Sequence, residues 1–213
     1  MKHHVPHVRS LALGIIATVI FICFRVWYVG SPQYLFLIWN IFLACLPFIV
    51  VLVLSSITLP RAVQYFLFTV WFLFLPNAPY VITDFIHLRY RTQDQYWIDV
   101  LMFFISAMFS LWIGVVALEE GRKILKTISS RWFARLITFL AIVLSGFGVY
   151  LGRFPRFNSW HLFTRPGDLM SSLYDHGITV LTQKEAFVFV AAFTFVFGLC
   201  YCLYRLSSKR GSE

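Results

Sequence analysis

Residues 74–91, FLPNAPYVITDFIHLRYR, place an acid, an imidazole and a guanidinium inside an otherwise apolar stretch. Asp84 and His87 are three residues apart, a spacing at which a carboxylate orients an imidazole as a general base or shares a metal ion with it. Ionisable groups within an apolar segment are costly and are typically functional. The segment therefore marks a candidate site for proton transfer, metal binding or anion binding.

A second polar segment, YLGRFPRFNSWHLF at 150–163, follows another apolar run. Two arginines flank a proline, and an amide, an indole and an imidazole follow. Guanidinium groups bind phosphate in a bidentate manner, and tryptophan prefers the headgroup level of a membrane. We expect anion-binding and interfacial roles for Arg153, Arg156, Asn158 and Trp160. His161 joins Asp84 and His87 as a candidate catalytic residue.

The composition predicts that a membrane positions these side chains. Of the 213 residues, 60% are hydrophobic and 13% are charged, and the mean hydropathy is +0.77. Soluble domains carry about 25% charged residues. Six apolar runs approach the length of about 20 residues that spans a hydrocarbon layer of about 30 Å. We predict an all-α integral membrane protein with one transmembrane domain over 1–213 and outside loops at about 83–97 and 152–185. Its six helices are expected at about 11–29, 34–54, 62–82, 98–118, 133–151 and 186–204.

The charge distribution predicts the orientation of the chain. With the N-terminus in the cytoplasm, eleven Lys and Arg residues lie inside and six outside, and Arg25 in the first run completes the 18. This positive-inside bias accounts for the net charge of +9 without nucleic acid as a partner. We predict a bacterial cytoplasmic (inner) membrane protein with both termini in the cytoplasm. Both polar segments then lie outside, where they can meet.

Pro76, Asn77, Ala78 and Pro79 break the third run, which we predict as a broken transmembrane helix. The residues from 62 to 75 cover about 21 Å as an α-helix, short of the bilayer thickness. The break is therefore expected inside the membrane or at its edge, where irregular backbone must be surrounded by protein or by a water-filled cavity. We expect the break to open a polar pocket, with Asn77 as the N-cap of a second helix and as one of the binding residues that line the pocket.

If this second helix is an α-helix, the spacing of its polar residues places them on one face. A separate face would be apolar, with Val81, Phe85 and Leu88. The polar face, which would line the pocket, consists of Tyr80, Asp84, His87 and Arg91.

Three further elements follow from the pattern. The basic stretch 119–135, EEGRKILKTISSRWFAR, is expected to be a charged connection after a helix end. The loop over 152–185 is too apolar for disorder and is expected to contain a short amphipathic helix at about 168–175. Ser145, Gly146, Gly148 and Gly152 give the fifth run a small-residue face that permits close helix packing.

FLPNAPYVITDFIHL and YLGRFPRFNSWHLF resemble the signature segments of a bacterial membrane-protein family catalogued as domain of unknown function 1361. The resemblance extends over nearly the whole chain. It implies a multi-pass inner-membrane protein and supplies no reaction or cofactor. In the family pattern an aspartate commonly follows NSW, where this chain has His161.

Three classes of function remain open from the sequence. The first is binding or handling of an anionic lipid or lipid-linked phosphate by the outside arginines, with aromatic side chains at the headgroup level. The second is a membrane-embedded hydrolase or transferase, in which Asp84 and His87 act alone or share a divalent metal with His161 or His176. The third is a structural partner in a membrane complex, in which Asp84 pairs with Arg91 or Arg153 to hold the fold.

Overall fold

The computed structural model describes residues 8–90, 96–156, 164 and 166–210. This part of the chain is helical and contains no strand. Six helical stretches are long and apolar enough to cross a membrane, which confirms the predicted all-α fold with six spans. These spans are Val8–Val29, Pro32–Ser56, Arg61–Leu88, Tyr96–Ile128, Arg131–Arg153 and Lys184–Ser208.

The helices are labelled in chain order. The first two spans contain α1 and α2, and the third is divided between α3, a short α4 and a 3-10 helix. The last three spans are α5, α6 and α8, and α7 precedes α8 without itself counting as a span. The α-helices are α1 (Val8–Val29), α2 (Phe36–Ser56), α3 (Arg61–Phe74), α4 (Asn77–Tyr80), α5 (Tyr96–Ile128), α6 (Arg131–Arg153), α7 (Pro166–Thr182) and α8 (Lys184–Arg210), and the 3-10 helices are Pro32–Tyr34 and Val81–Tyr90.

Successive spans run in opposite directions and divide the connections between two ends of the bundle. We call the end with the connections after the first, third and fifth spans the long-loop end, and the opposite end the short-loop end. α5 is the central helix and contacts α1, α2, α6, α8 and the third span. It is apolar around most of its circumference, as expected for a helix surrounded by others. By contrast α1 exposes Leu13, Ile16, Ile20 and Phe24 along one face, the pattern of a lipid-facing helix.

α5 is longer than the sequence predicts and extends to Ile128. Its 33 residues measure about 50 Å. Residues 119–128, predicted as part of a charged connection, continue this helix, and only Ser129 and Ser130 separate it from α6. The Ser130 hydroxyl caps α6 by accepting a hydrogen bond from the Phe133 amide at 3.1 Å. The prediction of a long basic loop here is wrong because the glutamates form ion pairs along the helix.

The third span breaks where predicted but is not capped as predicted. α3 ends at Phe74, and α4 begins at Asn77 after a two-residue turn. The cap position of α4 is Pro76, which makes no side-chain cap. Instead, Asn77 donates its side-chain amide to the carbonyl of Phe74 at 2.9 Å. This bond satisfies a carbonyl at the end of α3, so Asn77 stabilises the end of the preceding helix rather than the start of the next.

Two glycines of neighbouring helices bring α5 and α6 against the break. A Cβ at Gly114 of α5 would collide with the Cβ of Ala78. A Cβ at Gly148 of α6 would lie 2.7 Å from Cβ and Cγ of Pro76. Such close approach is how glycine promotes helix packing in membranes. The irregular backbone is therefore covered by protein at these two contacts, which is the condition for its survival inside a bilayer.

A buried ion pair joins α1 to α5 near the long-loop end. Arg25 Nε donates to Asp99 Oδ1 at 2.7 Å, and Arg25 Nη2 donates to Asp99 Oδ2 at 3.1 Å. Both side chains are 0% exposed. The guanidinium also lies 4.3 Å from the centroid of the Tyr34 ring. Arg25 is therefore paired inside the bundle and does not extend to the membrane interface.

Asp99→Ala should strongly destabilise the protein because it leaves the Arg25 guanidinium buried without its carboxylate. The expected cost is about 3–5 kcal/mol, measured as the loss of unfolding free energy in a denaturant titration of the detergent-solubilised protein. The double variant Arg25→Met/Asp99→Leu should recover most of this loss, because an apolar pair needs no desolvation. Equal stability of Asp99→Ala and the wild type would contradict the role given to this pair.

Gly114→Ala should destabilise the bundle by about 1–3 kcal/mol, because the added methyl forces Ala78 and the break away from α5. Gly177→Ala in α7 is the matched control, since nothing lies within 4 Å of a Cβ at that position. The control should be neutral or slightly stabilising, as for Gly→Ala in an open helix. Thermal unfolding of the two variants compares them directly, and equal midpoints would rule out the glycine contact as a packing constraint.

Candidate functional site

The residues that follow the break form a 3-10 helix, not the predicted α-helix. Val81–Tyr90 has three residues per turn, so side chains three apart lie above one another. Asp84 therefore shares a face with Val81 and His87. Both Val81 and Asp84 are buried, at 0% and 2% exposure. The predicted grouping of Asp84 with Tyr80, and its separation from Val81, is wrong because it assumed 3.6 residues per turn.

The 3-10 geometry also changes how far the chain reaches. A 3-10 helix rises about 2.0 Å per residue, against about 1.5 Å for an α-helix. The ten residues from Val81 to Tyr90 cover about 20 Å, so the third span reaches the long-loop end with few residues. Asp84 and His87 are consequently placed within a span rather than in a loop beyond it.

Asp84 is bonded to an amide that the sequence analysis did not single out. Asn40 of α2 donates Nδ2 to Asp84 Oδ2 at 2.8 Å. The bond fixes the carboxylate and leaves the amide oxygen of Asn40 as an acceptor. A lone asparagine in the apolar run 34–54 was the available signal, because a polar side chain inside a span usually has a partner. Its partner, 44 residues away in the chain, is visible only in the fold.

The other predicted residues of the third span lie around this pair. His87 is partly buried, and its ring centroid is 4.9 Å from that of Phe36 in α2. Tyr80 and Asn77 are also partly buried. The side-chain amide of Asn77 donates its hydrogen bond to the Phe74 carbonyl at the break, so this N–H group is not directed at a ligand.

Arg153 brings the second polar segment to the first. It is the last residue of α6, is partly buried, and its positive charge acts on both Asp84 and His87. Among the described residues, it forms no ion pair within 4.0 Å with either of them. Arg153, at the start of the second segment, is therefore close enough to the first for its charge to act on Asp84 and His87.

Arg156 lies just beyond α6 and is exposed. Its φ of 60° is in the left-handed region, which is uncommon for a residue other than glycine. This turn redirects the chain after Arg153. The remaining predicted site residues lie outside the described part of the chain, namely Arg91, Asn158, Trp160 and His161.

The metal hypothesis receives no support from the described residues. No three of their histidine, cysteine, aspartate and glutamate side chains are grouped closely enough to hold a metal ion. His176, one predicted partner of Asp84 and His87, lies on α7 with its ring 5.9 Å from that of Tyr150. The variant of that site that uses His161 falls outside the residues that the structure describes.

A second polar cluster, at the short-loop end, was missed by the sequence analysis. Glu119 of α5 accepts hydrogen bonds from Nε and Nη2 of Arg122 and, at 2.8 Å, from the hydroxyl of Tyr201 in α8. Arg205 Nε lies 3.6 Å from the same carboxylate. These charges were assigned to a solvated loop because each is common in such loops. Their function here is to join α5 to α8.

Comparison with known proteins identifies the family of the chain. The family model described as Protein of unknown function (DUF1361) matches residues 39–200, which include the third span and Arg153. No curated protein and no solved structure matches the chain. The match covers well over half of the sequence and confirms the predicted family. The chain therefore belongs to the DUF1361 family.

Proposed function

We propose that the long-loop end binds the phosphate of an anionic lipid or a lipid-linked phosphate. The observation that carries this proposal is Arg153, whose charge lies beside Asp84 and His87 without a direct ion pair to them. A guanidinium in this state retains donors for a second partner, and its fork geometry fits two phosphate oxygens. Arg156, exposed three residues further on, adds a second guanidinium to the same end.

The surroundings of these arginines favour an amphiphile over a soluble anion. α7 packs Leu173 and Val180 against α6 and α8. Its other face exposes Tyr174, Ile178 and Leu181, at 71%, 44% and 81%. An amphipathic helix with an apolar outer face and a tyrosine is suited to the boundary between headgroups and acyl chains. A phosphate bound beside such a helix has room for its lipid tail in the bilayer.

A second candidate function is hydrolysis or group transfer on the bound amphiphile. It is favoured by the bond from Asn40 to Asp84, which fixes a carboxylate one 3-10 turn before His87. In that case the pair supplies a general base and Arg153 stabilises charge that develops on phosphate. The third alternative, a structural partner in a membrane complex, predicts no ligand at all.

Arg153→Gln should abolish co-purification of a phosphate-bearing lipid. Native mass spectrometry of the protein, released gently from membranes, should show a lipid phosphate adduct in the wild type. Loss of one charge-assisted phosphate contact should reduce occupancy about tenfold or more, since hydrogen bonds to charged groups contribute about 1.5–3 kcal/mol. Arg135→Gln is the matched control, because Arg135 is exposed near the start of α6, at the opposite end.

The same spectra separate the three alternatives. A lipid adduct that persists equally in Arg153→Gln and Arg135→Gln would refute the phosphate site. A divalent metal lost in Asp84→Ala would turn the search toward hydrolysis. Folded wild type and variants with neither adduct would favour the structural partner.

We further propose that the long-loop end faces the outside of a bacterial inner membrane, with both termini in the cytoplasm. Gln183→Cys and Thr58→Cys test this, since both positions are exposed and lie at opposite ends of the bundle. In spheroplasts, with the four native cysteines replaced, an impermeant maleimide should label Gln183→Cys. It should label Thr58→Cys only after lysis, and the reverse pattern would invert the topology.

A further inference from the structure

Two side-chain hydroxyls buried in the described bundle, those of Ser110 and Thr83, have no hydrogen-bond partner. Ser110 of α5 is 0% exposed, and its Oγ is unpaired within the described structure. In every other serine or threonine that is buried as a whole residue, the hydroxyl donates to the carbonyl four residues earlier, and in Ser110 it does not. A buried polar group left without a partner costs about 1–3 kcal/mol. The bonded set comprises Thr18, Ser55, Ser106, Thr138 and Ser145.

Ser110 lies on the face of α5 that meets α2 and the third span. On this face the ring of Phe103 lies 5.0 Å from that of Tyr34 and 5.9 Å from that of Phe85. Gly114, on the same face, packs against Ala78. Ser110 is seven residues after Phe103 and four before Gly114, so it shares their face. On this face α5 meets the third span between Ala78 and Phe85, the segment that contains Asp84.

The depth of Ser110 in the bundle matches that of the Asn40–Asp84 pair. α2 and α5 both begin at the long-loop end, and Tyr34 is level with Phe103. Asn40, six residues after Tyr34, is about 9 Å deeper, which is the level of residue 109 on α5. Asp84 is at hydrogen-bond distance from Asn40. Asn40, Asp84 and Ser110 thus come from three elements to within about one helical turn of depth, roughly 5 Å.

We propose that these three side chains form a binding site for a small, hard monovalent cation, with Na+ as the best fit. They offer a carboxylate, an amide oxygen left over from the 2.8 Å bond and an unpaired hydroxyl. Hard cations select such oxygen ligands. One carboxylate neutralises one charge, and the nearby Arg153 disfavours a second. Thr83, which lies one residue before Asp84 on a different face of the 3-10 helix, has the other unpaired hydroxyl and is not counted as a ligand.

This site is distinct from the phosphate site, and it needs no bound lipid. Asp84 is its anionic ligand and lies inside the bundle, whereas Arg153 ends α6 and serves the anion. A cation at Asp84 also weakens the attraction between this carboxylate and Arg153. Sodium binding and phosphate binding can therefore be measured separately, and one proposal can be refuted without the other.

Sodium should raise the thermal unfolding midpoint of the purified full-length protein, followed by tryptophan fluorescence. NaCl is compared with choline chloride at equal ionic strength. Above Kd, each tenfold increase in sodium should raise the midpoint by about 3–5 °C, because a ligand that binds only the folded state stabilises it by mass action. Ser110→Ala and Asp84→Asn should each remove this dependence.

Ser145→Ala is the matched control, because Ser145 is equally buried but bonds to its own helix. It should keep the full sodium shift. If Asp84→Asn does not fold, Ser110→Ala still tests the proposal. This variant removes one ligand oxygen, and alanine is a good helix former, so the helix is preserved. A wild type indifferent to sodium, or a sodium shift that survives in Ser110→Ala, would overturn the proposal.

Discussion

Inside a bilayer, a backbone group that loses its helical hydrogen-bond partner finds no water to replace it. The third span faces this constraint at two positions. Pro76 and Pro79 each lack an amide donor, so the chain cannot continue as a regular α-helix. Asn77 satisfies a carbonyl with its side chain, and Gly114 and Gly148 let α5 and α6 close over the turn. The 3-10 helix begins only after this turn. The direction of Asp84 and His87 is therefore a consequence of how the break is satisfied.

The two ends of the bundle use ionisable residues differently. At the short-loop end, Glu119 is held by two arginines and a tyrosine, and its charge is fully matched. At the long-loop end the Arg25–Asp99 pair is equally closed, but Asp84 is bonded to a neutral amide and Arg153 has no ion pair with it among the described residues. Closed networks stabilise packing. An incompletely matched carboxylate and guanidinium are what a binding site requires.

Much of the fold follows from the sequence because bilayer thickness fixes span length and proline fixes the break. The meeting of Arg153 with Asp84 follows from topology alone, since alternating spans place both on one end. The sequence does not predict that a 3-10 helix forms here instead of an α-helix. Both helices are compatible with the spacing of Asp84 and His87, and packing selects between them. Long-range partners such as Asn40 also cannot be predicted, since no local sequence pattern indicates which two polar side chains will form a hydrogen bond.

The Arg25–Asp99 pair has a consequence for how the protein is made. Arg25 enters the translocation machinery 74 residues before its counter-ion. At about 5–20 residues per second, synthesis leaves the arginine uncompensated for about 4–15 s. An unpaired arginine costs about 2.5–3.5 kcal/mol at the centre of a spanning helix and less near an end, where Arg25 lies. We therefore expect the first helix to keep Arg25 at the interface during this interval and to reach its final depth only when the fourth span arrives with Asp99.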